Sequence, residues 1–125
     1  MKVVIVDDDQ LVALSLKTIL EADARVTVVA TGTDGTDAAA LYRKEHPDVL
    51  LMDIQMPVMN GYEATQAIRN SNHPNAKTLP ILAMTANAFV EDIARAKEAG
   101  MNAHIAKPID VSQLYTTLTE ILNQA

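Results

Sequence analysis

Four short apolar runs of this chain end in residues that can do chemistry: Val3 to Val6 in Asp7, Asp8 and Asp9, Val49 to Met52 in Asp53, Ile81 to Met84 in Thr85, and Ala103 to Ala106 in Lys107. Carboxylates held a few ångströms apart raise one another's pKa or recruit a cation. A hard divalent ion that takes oxygen ligands and keeps several waters, hence Mg2+, is the natural occupant of such a cluster. A lysine delivered to the same edge would meet a phosphoryl group there. Each residue taken singly has a plainer reading. Asp7 to Asp9 is a solvated turn, with Asp9 capping a helix, Thr85 an ordinary strand end and Lys107 a surface lysine, because charged residues are mostly exposed. The coincidence of all four strand ends favours a site.

The elements that must position these groups alternate along the chain. A fifth apolar run, Val26 to Val29, joins the other four, and each is short enough for a buried strand. Between the runs, Val12, Leu16, Ile19 and Leu20 share one helical face, and Val111, Leu114, Tyr115, Leu118 and Leu122 share another. Helices over Asp34 to Lys44, Gly61 to Asn70 and Ala88 to Ala99 have weaker periodicity, but Gly100 closes the last of them and Asp110 caps the final helix. Strands alternating with helices across short loops require right-handed crossovers, and these produce a parallel sheet with helices on both faces. The expectation is a doubly wound (βα)5 α/β fold of flavodoxin-like strand order 2-1-3-4-5, in one domain spanning residues 1–125. Ligands bind such sheets beyond the carboxyl ends of the strands. Neighbouring first and third strands, at a spacing of about 4.8 Å, gather Asp7, Asp8 and Asp53; Lys107 starts roughly 10 Å from Asp53, a gap for its side chain and a phosphoryl group to bridge jointly.

Composition narrows the function classes. The 125 residues are 49% hydrophobic but only 3% aromatic, with no tryptophan, so the core is aliphatic. Without cysteine there is neither disulfide nor thiolate metal site, which suits the cytoplasm. No run of about 18 apolar residues supports a membrane span. A net charge of -6 disfavours direct nucleic-acid binding, so a DNA output needs another domain. Asn70 to Lys77 is an extended polar loop away from the chemistry, His46 and His73 read as solvent-facing beside prolines, and the histidines lack metal-ligand spacing. Met52, Met56, Met59, Met84 and Met101 fit packing.

Val6-Asp7-Asp8, Met52-Asp53-Ile54-Gln55-Met56-Pro57 with Asn60-Gly61, Met84-Thr85-Ala86 and Lys107-Pro108 together resemble the response regulator receiver domain of two-component phosphorelays. The resemblance covers essentially the whole chain, and four motifs in order at strand ends are far more specific than any one. It implies that Asp53 accepts a phosphoryl group from phosphohistidine, that Lys107 pairs with the phosphoryl oxygens, and that the Thr85 hydroxyl binds one of them and moves the following loop. It implies Mg2+, with Mn2+ able to substitute, bound by Asp8 directly, by Asp7 through water, by Asp53 and by the Gln55 backbone carbonyl. The Gln55 and Asn87 side chains would tune dephosphorylation, and the Lys107-Pro108 peptide would be cis. His104 stands on the fifth strand where the family commonly places the tyrosine or phenylalanine that reports the switch, a departure from the pattern.

The implied phosphodonor is a histidine kinase or histidine phosphotransfer domain docking near the first helix. The fourth helix, fifth strand and fifth helix would be the output face and a phosphorylation-dependent dimer face. The domain would promote its own phosphorylation and dephosphorylation rather than act as an enzyme on a separate substrate. Residues up to about Gly61 resemble receivers of helix-turn-helix DNA-binding regulators, whereas Thr85-Ala86-Asn87-Ala88 and Lys107-Pro108-Ile109-Asp110 resemble receivers of hybrid histidine kinases. A haloacid dehalogenase-type phosphatase would need a second acid two residues past its nucleophile, where this chain has Gln55. A flavin carrier would need a glycine- and hydroxyl-rich phosphate loop in place of the aspartates.

Overall fold

Strands that are apolar on both faces must be covered on both faces, and the arrangement follows from that. The computed structural model describes residues 1–86 and 90–123. Its order is β1 (Lys2–Val6), α1 (Gln10–Glu21), β2 (Thr27–Gly32), α2 (Gly35–Glu45), β3 (Val49–Asp53), α3 (Gly61–Arg69), β4 (Ile81–Thr85), α4 (Val90–Ala99), β5 (Ala103–Ala106) and α5 (Val111–Asn123). The strands form one parallel sheet of order β2-β1-β3-β4-β5, the expected topology. Alternation along each strand feeds two cores. Val4, Leu50, Met52 and Ile81 face Tyr42 of α2, Ile68 of α3 and Ala96 of α4. Ile5, Leu51, Leu82 and Ile105 face Leu16 and Leu20 of α1 and Leu114 and Leu118 of α5. Among the described residues no helix is long and apolar enough to cross a membrane.

Several boundaries differ from the sequence expectation, each for a local reason. β2 covers Thr27–Gly32 rather than Val26 to Val29, because β1 supplies ladder partners out to Val6↔Gly32 after a register shift between Val3 and Val4. β3 and β4 each run one residue further, so Asp53 and Thr85 lie within their strands rather than after them. On α5 the buried stripe is Leu114, Leu118 and Ile121; Val111 is 46% exposed, since the first turn lies at the edge of that stripe. The expected first residues of α4, Ala88 and Phe89, lie outside the described residues.

Polar caps set the helix starts beside the strand ends. The Asp9 carboxylate accepts the Leu11 N–H, Asp34 accepts from Thr36 and Asp37, and Asn60 and Glu63 form a reciprocal capping box. Each such cap is worth about 1 kcal/mol. At the far end of the sheet, the Arg69 guanidinium donates to Gly100 O at 2.7 Å, Ala76 O at 3.0 Å and Asn102 Oδ1 at 3.0 Å. These bonds tie α3 to the loops entering β4 and β5. The polar stretch of residues 70–77 is therefore pinned rather than free, with Ala76 buried. His73 packs at 5.1 Å against Tyr42, half-buried rather than solvent-facing.

Candidate functional site

Parallel pairing of Val6 with Met52 and of Asp53 with Met84 brings the carboxyl ends of β1, β3 and β4 into line. Backbone bonds carry the alignment past the ladders: Asp7 N–H donates to Gly32 O at 3.1 Å, Ile54 N–H to Met84 O at 3.0 Å and Lys107 N–H to Thr85 O at 2.8 Å. Carboxylate oxygens of Asp7, Asp8 and Asp53 then lie within 4.8 Å of one another, Asp7 and Asp53 buried and Asp8 exposed. Lys107 Nζ donates to Asp7 Oδ2 at 2.8 Å and to Asp53 Oδ2 at 3.3 Å. The lysine thus closes the expected gap alone, reaching from the end of β5 past β4 to acids that follow β1 and end β3. Asp9, assigned to capping from the sequence, also donates its N–H to Asp7 Oδ1 at 2.9 Å, which fixes that carboxylate.

Two buried acids and an exposed third against one lysine leave an excess of negative charge, most of it out of water. Burial and then the neighbouring Asp7 charge raise the Asp53 carboxyl to about 6, against the opposing pull of Lys107 and the Gln55 N–H. For Lys107, burial works against its charge, but the hydrogen bond to Asp7 and the charges of Asp53 and Asp7 outweigh burial and raise the ammonium. A hard dication coordinated by oxygen resolves this excess, so the donor set fits Mg2+.

The remaining sequence candidates are placed as follows. Thr85 is buried at the end of β4, paired in register with Ala106. Gln55 is exposed, and its N–H reaches Asp53 Oδ1 at 3.3 Å. The Lys107–Pro108 peptide is cis. His104 is half-buried on β5 and lines a groove of about 240 Å3 with Ile93, Ala96, Lys97 and Met101, away from the acids. Asn87 lies outside the described residues.

A model of the response regulator receiver domain matches residues 3–119. The chain belongs to this family. The receiver domain is 33% identical to the polar-differentiation response regulator DivK of Brucella ovis, over 98% of this chain and 97% of that protein. A putative response regulator from Chloroflexus aurantiacus superposes with a TM-score of 0.88 at 34% identity, covering 98% and 97% of the two chains. The receiver domain of sensor histidine kinase PA1611 from Pseudomonas aeruginosa PAO1 superposes at 0.84 with 32% identity over 98% and 97%, and holds a magnesium ion in its active-site cleft. Receiver domains take phosphoryl groups from histidine kinases or phosphotransfer domains, and the acidic cleft of this family binds Mg2+.

Two features of this receiver domain escaped the sequence reading. Gly61 closes the β3–α3 loop onto the site: a Cβ there would stand 2.6 Å from Asp53 O and 3.0 Å from Ile54 Cα. The Asn60 cap ahead of it was the available signal. Backbone atoms yield poorly, so Gly61→Ala is expected to cost about 2 kcal/mol in urea unfolding and to displace Asp53. An unchanged midpoint would show that the loop absorbs the methyl group. The second feature is exposed apolar surface on α1, Leu11 at 75% and Leu14 at 61%, with Leu11 beside Lys107, Pro108 and Ile109.

Proposed function

We propose that Asp53 is the phosphoacceptor of this receiver domain and that its phosphorylation by a phosphohistidine donor switches β5 and its neighbours. The observation that carries the reading is Lys107 Nζ, which bridges Asp7 at 2.8 Å and Asp53 at 3.3 Å and so stands beside the attacking carboxylate. An Asp53 oxygen forms the new P–O bond as the P–N bond of the donor breaks and its imidazole leaves with the bonding pair. Lys107 counters the charge on the phosphoryl oxygens, and positioning with electrostatics supplies the rate. Asp8 directly, Asp7 through water, Asp53 and the Gln55 carbonyl would hold Mg2+, or Mn2+ in its place, and the ion would neutralise phosphoryl charge. The Asp7–Asp9 bond keeps one carboxylate oriented for that task.

The Thr85 hydroxyl binds a phosphoryl oxygen and draws the β4–α4 loop inward, a local charge event read out through a two-state element. His104, on the α4 side of β5, takes part in that movement. Gln55 and Asn87 tune hydrolysis of the acyl phosphate, which the domain promotes as it promotes its own phosphorylation. The exposed Leu11 and Leu14 of α1 suit an apolar docking face for the donor kinase or phosphotransfer domain. The α4, β5 and α5 face serves output and a phosphorylation-dependent dimer. Residues 1–125 act as one unit in the cytoplasm, and the net charge of -6 argues against direct nucleic-acid contact.

Intact mass after incubation with acetyl phosphate tests the assignment. One phosphoryl mass is expected with Mg2+, little without it, and none in Asp53→Asn. Undiminished labelling of Asp53→Asn would move the acceptor elsewhere.

A further inference from the structure

At the opposite end of the sheet, the fold joins two imidazoles that are distant in sequence. His46 ends α2 in the left-handed region, φ 49, with its N–H on Tyr42 O at 3.2 Å and Pro47 buried behind it. His73 sits in the α3–β4 loop before Pro74, where its carbonyl accepts the Ala76 N–H at 3.1 Å and its ring packs on Tyr42. The two rings have centroids 5.8 Å apart and planes tilted by 50°.

We propose that His46 and His73 form a two-nitrogen site for a borderline first-row divalent cation of the Zn2+ type. An ion about 2.1 Å from an imidazole nitrogen stands about 3.2 Å from that ring's centre, so two rings on one ion have centres between about 5.2 Å at a tetrahedral angle and about 6.4 Å when opposed. The observed 5.8 Å falls inside that interval. Imidazole pairs favour Zn2+, Ni2+ or Cu2+, whereas Mg2+ prefers the carboxylate cleft. Both backbones are already fixed by the α2 cap, the two prolines and the Tyr42 contact, so closing the chelate orders little more than the rings. The carbonyl end of α2 already receives a cation, the Lys2 ammonium on Glu45 O at 3.1 Å, which leaves the imidazole nitrogens as the ligands. Arg43 and Lys44 of the same turn are exposed, and Arg43 Nε is turned back onto Ala39 O at 3.2 Å. β3 separates the two sites: it starts three residues after His46 and ends at Asp53, roughly 13 Å along the strand. Two protein ligands leave positions for water, making the site accessible and exchangeable.

The test is calorimetric titration of Zn2+ into the chain in excess Mg2+, with the three histidine Cε1–H resonances followed by NMR. One ion per chain is expected, with the His46 and His73 signals moving together and His104 still. His46→Asn keeps a residue that tolerates the left-handed conformation. His73→Phe keeps the packing on Tyr42 while removing both nitrogens. Each is expected to weaken binding at least about tenfold by deleting one of two inner ligands, with His104→Ala unchanged. Parental affinity in either variant, or a Zn2+-dependent doubling of molecular mass, would overturn the proposal.

Discussion

Replacing Lys107 with methionine is expected to move two measurements in opposite directions: phosphoryl transfer falls by about 10²-fold or more, while Mg2+ binds about tenfold more tightly. The loss follows from the position of Nζ, which is within hydrogen-bond reach of Asp7 and Asp53 and therefore of the charge that develops on a phosphoryl group between them. The gain follows from the same charge acting on a different ligand. The ammonium competes with a dication for the two buried carboxylates. A unit charge and a dication about 5 Å apart repel by on the order of 2 kcal/mol when solvent at the cleft mouth brings the effective dielectric near that of water, enough for about tenfold.

Calorimetry is the suitable binding assay, since the chain has no tryptophan to report by fluorescence. Time courses of intact mass with acetyl phosphate at saturating Mg2+ give the rate. Lys107→Arg keeps the charge and changes its shape, so it should leave metal affinity near the parental value while still slowing transfer. If both quantities fall together in Lys107→Met, the lysine is holding the cleft's shape. Unchanged transfer would remove it from the chemistry.

The same residues show what sequence can and cannot carry. The strand ends were legible because each run is apolar on both faces and stops at a polar residue; a buried strand has few other places to end. Short right-handed crossovers gave the parallel sheet, whereas its order, and with it the meeting of Asp7 with Asp53, came from the flavodoxin-like pattern that such alternation resembles. What failed depends on partners. The added length of β2 exists because β1 offers it a ladder, a fact about the neighbour rather than about Thr31 or Gly32. Ile121 joins the buried face of α5 while Val111, in the first turn, is left exposed, because burial depends on what packs opposite each turn, which no helical period announces. The direct Lys107 contact needed the real crossing of β4 by a side chain, and the nearness of His46 to His73 needed the loops at the far end to be closed by Arg69 and Tyr42.

Asp53→Asn is expected to be more stable than the parent near neutral pH when Mg2+ is removed by a chelator, and that advantage should vanish in acid. Burial, first, and the Asp7 charge raise the folded pKa of Asp53 to about 6, above the ordinary value of 3.8 that the unfolded chain retains. Between those two values the native state holds a proton that the unfolded state has released. The contribution of Asp53 to stability is thus fully present below 3.8 and is lost as pH rises through about 6. Two units correspond to about 3 kcal/mol, reduced to about 2 by water at the mouth of the cleft. An amide carries no charge to bury, so the variant escapes the loss and keeps an acceptor for Lys107. Other acids with shifted values, such as Asp37, held low by the Thr33 backbone N–H and then its hydroxyl, are common to both proteins and cancel in the difference. Paired urea titrations across the acid-to-neutral range therefore isolate one carboxylate. Saturating Mg2+ should erase the gap by stabilising the parent through binding to its native state. Equal stability at neutral pH without metal would mean that Lys107 already balances the buried acids, and the argument for an ion-demanding cleft would lose its electrostatic basis.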